Sequence, residues 1–180
     1  MRILRARDRV AVPWKNGGGT TREVFVFPPG AGFDDFGWRV SIAQVDRSGP
    51  FSLFPGIDRH LAMLKGRVAL KIAGRAPLEL TPSALSVSFP GDVPAEADVI
   101  EGPATDLNLM ARRAAFFATM VRRTLHGRQD CITTTLVFPL TPAVVNDVQL
   151  DKDDALLADA GETITIAAET ECYWIEITNR

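Results

Sequence analysis

Trp38-Arg39-Val40-Ser41-Ile42-Ala43-Gln44-Val45 alternates apolar and polar side chains for most of its length. A strand turns successive side chains to opposite faces, so Trp38, Val40 and Ile42 share one side and Arg39, Ser41 and Ala43 the other. Asp106-Leu107-Asn108-Leu109-Met110 repeats the pattern, with Asp106 and Asn108 opposite Leu107 and Leu109. Outward from these two segments, further β-branched or aromatic runs occupy 23–27, 60–64, 68–72, 85–89, 132–138, 144–150, 163–167 and 172–177. Turn residues separate them at Pro28-Pro29-Gly30, Gly49-Pro50, Pro55-Gly56, Gly66, Gly74, Pro90-Gly91 and Gly161. Short strands at regular spacing with Gly/Pro turns predict an all-β sandwich or barrel.

Two segments compete with that reading. The stretch 109–125 is rich in Ala and Arg, with Phe116, Phe117, Met120 and Leu125 near one helical face, which leaves a short helix open. A weaker helix or turn is expected at 153–159. The chain changes character near 112–127, from a Gly/Pro-rich part to a more acidic one. That change predicts an N-terminal barrel over 1–112 and a smaller β unit over 113–180, without a flexible linker.

Of 180 residues, 46% are hydrophobic, enough for one good core or two small fused ones. Twenty Lys and Arg face 22 Asp and Glu, a net charge of −2, which gives nucleic-acid binding through phosphates little support. Cys131 and Cys172 form no CxxC pair and fit a reducing compartment. The segment 1–10 carries Arg2, Arg5, Arg7 and Arg9 without an apolar run, and no later run approaches a membrane span. The expectation is a soluble cytoplasmic protein.

The loop Lys15-Asn16-Gly17-Gly18-Gly19-Thr20, followed by Thr21, Arg22 and Glu23, is the strongest local signal for a ligand. Three glycines permit backbone conformations and close approaches that side chains forbid. Backbone N–H groups from Asn16 to Gly19 could form an anion nest, or the run could be an ordinary turn. The polar strand faces with Arg39 and Ser41 or Asp106 and Asn108 either meet solvent or line a barrel mouth. Arg59 and His60 follow Pro55-Gly56 into a strand. Arg59 could simply pair with Asp58 at the surface.

Several chemistries lack support. Only His60 and His126 are present, in different candidate units, so a multi-histidine metal site is not expected. No nucleophile elbow accompanies Ser41, His60 and Asp58 or Asp106. The glycine run is neither a Walker A loop nor a dinucleotide fingerprint.

Together, Pro13-Trp14-Lys15-Asn16-Gly17-Gly18-Gly19 with Thr21-Arg22-Glu23, Trp38 to Ala43, Gly49-Pro50-Phe51-Ser52, Phe54 to His60, and Asp106 to Met110 with Arg112-Arg113 resemble the HutD/Ves family. The resemblance covers the first two-thirds of the chain in motif and the last third in character. It implies a bicupin, two fused jelly rolls in one chain. It also implies an accessory or regulatory role in histidine utilisation, sensing a formylglutamate- or urocanate-like acid; the Ves branch is linked loosely to stress responses. Compared with metal-dependent cupins, His60 stands near the first cupin motif without the usual His-x-His pair and Glu. Phe89-Pro90-Gly91-Asp92 resembles the second motif, but no His follows through 108. No metal and no cofactor are therefore expected.

The resulting expectation is a metal-free binding protein for a small carboxylate. Lys15, Arg22, Arg39 and Arg59 would supply cationic donors, with Arg forks gripping carboxylates. Asn16 to Gly19 and Thr20 would add backbone and hydroxyl contacts, and Ser41, His60, Asp106 and Asn108 would orient the ligand. Glu23, Asp58 or Asp106 would neutralise surplus buried charge. One alternative is a hydrolase or isomerase of a related amino-acid derivative, with His60 as general base. Another is an interaction module, a homodimer formed through a sheet edge.

Overall fold

A computed structural model describes residues 1–14 and 16–180. Lys15 lies outside them. The described chain is all-β, with one three-residue 3₁₀ turn at Ala6–Asp8. It divides into two compact units, Val10–Ala115 and a second made of Met1–Arg9 with Phe116–Arg180.

The Val10–Ala115 unit is one curled antiparallel sheet of eight strands. They are β2 (Ala11–Pro13), β3 (Gly19–Phe27), β4 (Trp38–Val45), β5 (Gly49–Pro50), β6 (Ile57–Ile72), β7 (Leu78–Leu80), β8 (Val87–Pro90) and β9 (Ala95–Arg112). The order is β2-β3-β4-β9-β6-β7, with β5 on β9 and β8 on β6. The segments 60–64 and 68–72, expected as two strands, run as one. Register shifts between Met63 and Val68 bend β6 against β9 without ending it.

Cross-strand pairing fixes which side chains share a face. On β4, β9 and β6 the matched trios are Arg39–Met110–Arg59, Ser41–Asn108–Leu61 and Ala43–Asp106–Met63. Phe89 of β8 pairs with Arg59, while Glu23 and Thr21 of β3 pair with Ser41 and Ala43. Two apolar clusters flank this polar belt. One gathers Val45, Leu61, Met63, Val68, Leu70 and Phe89 with Trp14 and Phe51 at its edge. The other holds Val26, Phe36, Ile57 and Met110, with Phe54 packed on it. The opposite face is buried too, since Val40, Leu107 and Leu109 expose nothing.

The second unit is a curled sheet of seven strands: β1 (Arg2–Leu4), β10 (Phe116–Asp130), β11 (Thr134–Pro139), β12 (Ala143–Val145), β13 (Val148–Leu150), β14 (Ala155–Ala158) and β15 (Thr163–Asn179). The order is β1-β14-β11-β15-β12-β13, with β10 on β15. Its core includes Val137, Leu150, Leu156, Ile164, Ile166, Cys172 and Trp174. Both cysteines are buried and free.

The structure differs from the sequence reading at further places. The helix left open at 109–125 is the end of β9, a turn and β10, because pairing with β15 over nearly the whole of β10 overrides local helix propensity. The segment 153–159 forms β14, whose four residues are all buried between β1 and β11. A run apolar on both sides is what a central strand needs. The run 144–150 is a hairpin, turning at Asn146 and Asp147 with φ of 47° and 60°. Positive φ at both central residues matches the twist of a tight hairpin. Finally, Arg2–Leu4 pair with β14, so that 1–9 belong to the second unit, and the seam falls after Ala115.

Candidate functional site

Arg59 is the centre of the candidate site. It sits on β6, is 4% exposed, and its Nε has no hydrogen-bond partner. Its guanidinium lies 5.0 Å from the ring centre of Phe51, 5.1 Å from Phe89 and 5.8 Å from Phe54. Aromatic faces attract a cation but accept no ordinary hydrogen bond, so the charge is tolerated while the donor stays free. Burial lowers the Arg59 pKa to about 10 against the pull of Asp106, which still leaves the group charged near neutrality.

Asp106 and Asn108 of β9 share the Arg59 face, and each has a buried Oδ1 with no partner. Asp106 is 3% exposed. Burial pushes its carboxyl up to about 7, with the Arg59 charge acting in the opposite direction. Ser41, buried on β4, lies across from Asn108. One cation and three polar side chains thus meet on one apolar-bounded face. Buried polar atoms are nearly always hydrogen-bonded, so three unpartnered ones on a shared face make it the candidate site.

The other predicted site residues divide sharply. Arg39 shares this face, but its Nε donates to Glu23 Oε2 at 2.9 Å and its guanidinium lies 4.7 Å from the Phe33 ring. Its charge is already matched. Arg22 and Thr20 point to the opposite face of β3, and Arg22 is exposed there. His60 is opposite Arg59 on β6, paired with Leu109 and Ser88. Asp58 does not pair with Arg59; its Oδ1 accepts a 2.7 Å bond from Arg113 Nε. The strand period puts neighbours 59 and 60 on opposite sides, so both cannot serve one site from β6.

Two amides of the glycine loop are already bonded within the turn. Gly17 N–H donates to the Trp14 carbonyl at 3.0 Å and Gly18 N–H to Asn16 Oδ1 at 3.0 Å. These are two of the donors expected for an anion nest. Gly17 has a φ of 67°, and Gly19 packs so tightly on the Gln44 carbonyl that a side chain would collide with it. Trp14 closes the turn, with Nε1 donating to Thr21 Oγ1 at 2.7 Å. The run is built for a tight hairpin between β2 and β3. Lys15 is outside the described residues.

Sequence reading missed the aromatic cage. Phe51 and Phe54 lie in the quoted Gly49–His60 stretch and Phe89 beside the Pro90-Gly91 turn. Phe51 and Phe54 precede Arg59 closely in the chain, but Phe89 reaches it only through β8 pairing, which the sequence does not show. Among the described residues, no three His, Cys, Asp or Glu side chains gather as metal ligands. No helix among them is long and apolar enough to cross a membrane.

The sequence profile of HutD matches residues 6–175. The chain belongs to the HutD family. The match embraces every residue of the site just described. A 21.2 kDa protein of the hutC 3′ region in Pseudomonas putida is 38% identical over 111 residues, 61% of this chain and 57% of that one. Protein Ves of Citrobacter koseri is 40% identical over 101 residues, 56% of this chain and 52% of Ves. The matched stretches thus span about half the length of these relatives. The solved structure of HutD from Pseudomonas fluorescens, described as a formate condition, is 32% identical with a TM-score of 0.84, covering 99% of this chain and 98% of that one. More remote solved structures, 8–12% identical with TM-scores of 0.64–0.72, share the fold alone and are cupin-like.

Proposed function

We propose that this HutD-family chain is a cytoplasmic, metal-free bicupin that binds a small carboxylate metabolite of amino-acid catabolism, histidine catabolism in particular, in an accessory or regulatory role. The observation that carries the reading is Arg59, a buried guanidinium with a free Nε–H on a face shared with Ser41, Asp106 and Asn108. A buried cation that lacks a bonded counter-ion gains most from an anion entering its site. Two curled sheets, one per unit, support the bicupin description. The hutC region of the Pseudomonas putida relative supports the metabolic setting, and the formate condition of the Pseudomonas fluorescens HutD is in keeping with a carboxylate.

His60 does not support the enzymatic alternative. It faces away from Arg59 and Asp106, so a general base there would not reach a ligand held by them.

Thermal-shift and calorimetric titration with formate, urocanate, N-formylglutamate and glutamate tests the reading. A ligand that binds only the folded state raises its stability by mass action. Stabilisation by at least one acid, lost in Arg59→Met, is the expected result. No response to any of the four would overturn it.

A further inference from the structure

The unpartnered atoms of the site are unevenly matched. One is a donor, Arg59 Nε; two are acceptors, Asp106 Oδ1 and Asn108 Oδ1. An incoming carboxylate brings only more acceptors, so the site is short of hydrogens. The cross-strand neighbours of Asp106 on its face cannot supply one, because they are Ala43 on β4 and Met63 on β6. The charged groups sharing that face are Arg59 on β6, Arg39 on β4, Glu23 on β3 and Arg112 at the end of β9; Arg39 and Glu23 are paired with each other, and Arg112 donates to the carbonyls of Phe36 and Asp34. Arg59 is therefore the cation of this face that keeps a free N–H, and its charge is the one that acts on Asp106. It can balance one negative charge and not two.

We infer that Asp106 meets the ligand as a neutral acid, donating its proton to the carboxylate that Arg59 attracts, so that the site takes up an anion and a proton together. This rests on the carboxylate reading above. Two carboxylates confined in a low-dielectric site cannot both stay ionised, and the one already displaced toward protonation yields first. Burial has brought Asp106 to that point before any ligand arrives, with its carboxyl at about 7. The proton comes from solvent and no covalent bond changes. Asp106 is then a specificity-determining residue: it favours an acceptor-only carboxylate over an amide, and it ties affinity to pH near neutrality.

Formate is the test probe, titrated calorimetrically at pH 6 and pH 8 in buffers of different ionisation enthalpy. Binding should be about tenfold weaker at pH 8, with close to one proton taken up per formate there and almost none at pH 6. Asp106→Asn keeps a donor at the same position, so it should bind formate equally at both pH values without proton uptake. Equal wild-type affinity at both pH values without proton uptake, with binding still weakened at least tenfold in Arg59→Met, overturns this inference and leaves the carboxylate reading standing. Proton release in place of uptake also overturns it. Absence of formate binding at either pH, if the other three acids bind, removes formate-sized recognition and this inference with it; silence of all four acids removes both readings. Should Asp106→Asn fail to fold, the wild-type proton count alone decides.

Discussion

Gly19 stands against the carbonyl oxygen of Gln44 so closely that a β-carbon at position 19 would lie well inside van der Waals contact. The same β-carbon would come within 3.3 Å of the Trp14 ring. Backbone cannot retreat as a side-chain tip can, so β3 would have to move from β4. Gly19→Ala should cost about 2–4 kcal/mol in urea unfolding. Gly17→Ala, strained only by a φ of 67°, should cost about 1–2 kcal/mol. A neutral Gly19→Ala would show that the hairpin is not what the glycine protects.

That glycine run shows where sequence reading succeeds and where it stops. Period-two alternation placed Arg39 with Ser41 and Asp106 with Asn108 on shared faces, because a strand's side-chain geometry is local. Cross-strand register then put both pairs and Arg59 on one face, a non-local fact that alternation cannot supply. The loop 16–19 was legible as special. Whether its amides face a ligand or each other depended on Trp14 and Gln44, which single-sequence patterns do not position. The segment 116–125 misled for the same reason, since only pairing with β15 makes it a strand.

Asp106 should leave a mark on stability without any ligand. Its folded pKa of about 7 lies above the unfolded value of 3.8, so between those values the folded state holds more protons than the unfolded one. Stability from this group is therefore full below pH 3.8 and is lost as pH rises to 7, by about 4 kcal/mol in all. Asp106→Asn removes the effect. Its stability relative to wild type should improve steadily between pH 4 and pH 7 in chemical denaturation and level off above. A difference that is flat with pH would refute the assignment.

Asp154 is the opposite case, in the other unit. Its 3% exposed carboxylate accepts bonds from Arg5 Nη1 at 2.7 Å, Ala6 N–H at 2.7 Å and Asp151 N–H at 3.0 Å. Burial alone would raise its pKa, but these donors outweigh it and hold the carboxyl below its usual range. Stability from Asp154 is thus present above pH 3.8 and lost as pH falls through the lower folded value. Asp154→Ala strands the Ala6 amide and the Arg5 charge, and should cost about 3 kcal/mol. Because Arg5 and Ala6 join β1 to the turn before β14, trypsin should cut after Arg5, Arg7 or Arg9 much faster in the variant. Unchanged digestion would mean that β1 is held by its ladder with β14 alone.

Arg59 and His60 are chain neighbours on opposite faces of β6, which makes them a built-in pair of controls. A carboxylate held by charge-assisted bonds to Arg59 should lose about 1.5–3 kcal/mol of binding in Arg59→Met, roughly 10- to 150-fold. Methionine fills the space among Phe51, Phe54 and Phe89 and needs no counter-charge there. Replacing a buried charge by an apolar residue of similar volume is often neutral or stabilising, so folding stability near pH 6 should stay within about 1 kcal/mol of wild type. His60→Ala should leave carboxylate affinity within twofold of wild type in the same calorimetric titration. If His60→Ala abolishes binding and Arg59→Met does not, the ligand sits on the other face of the sheet.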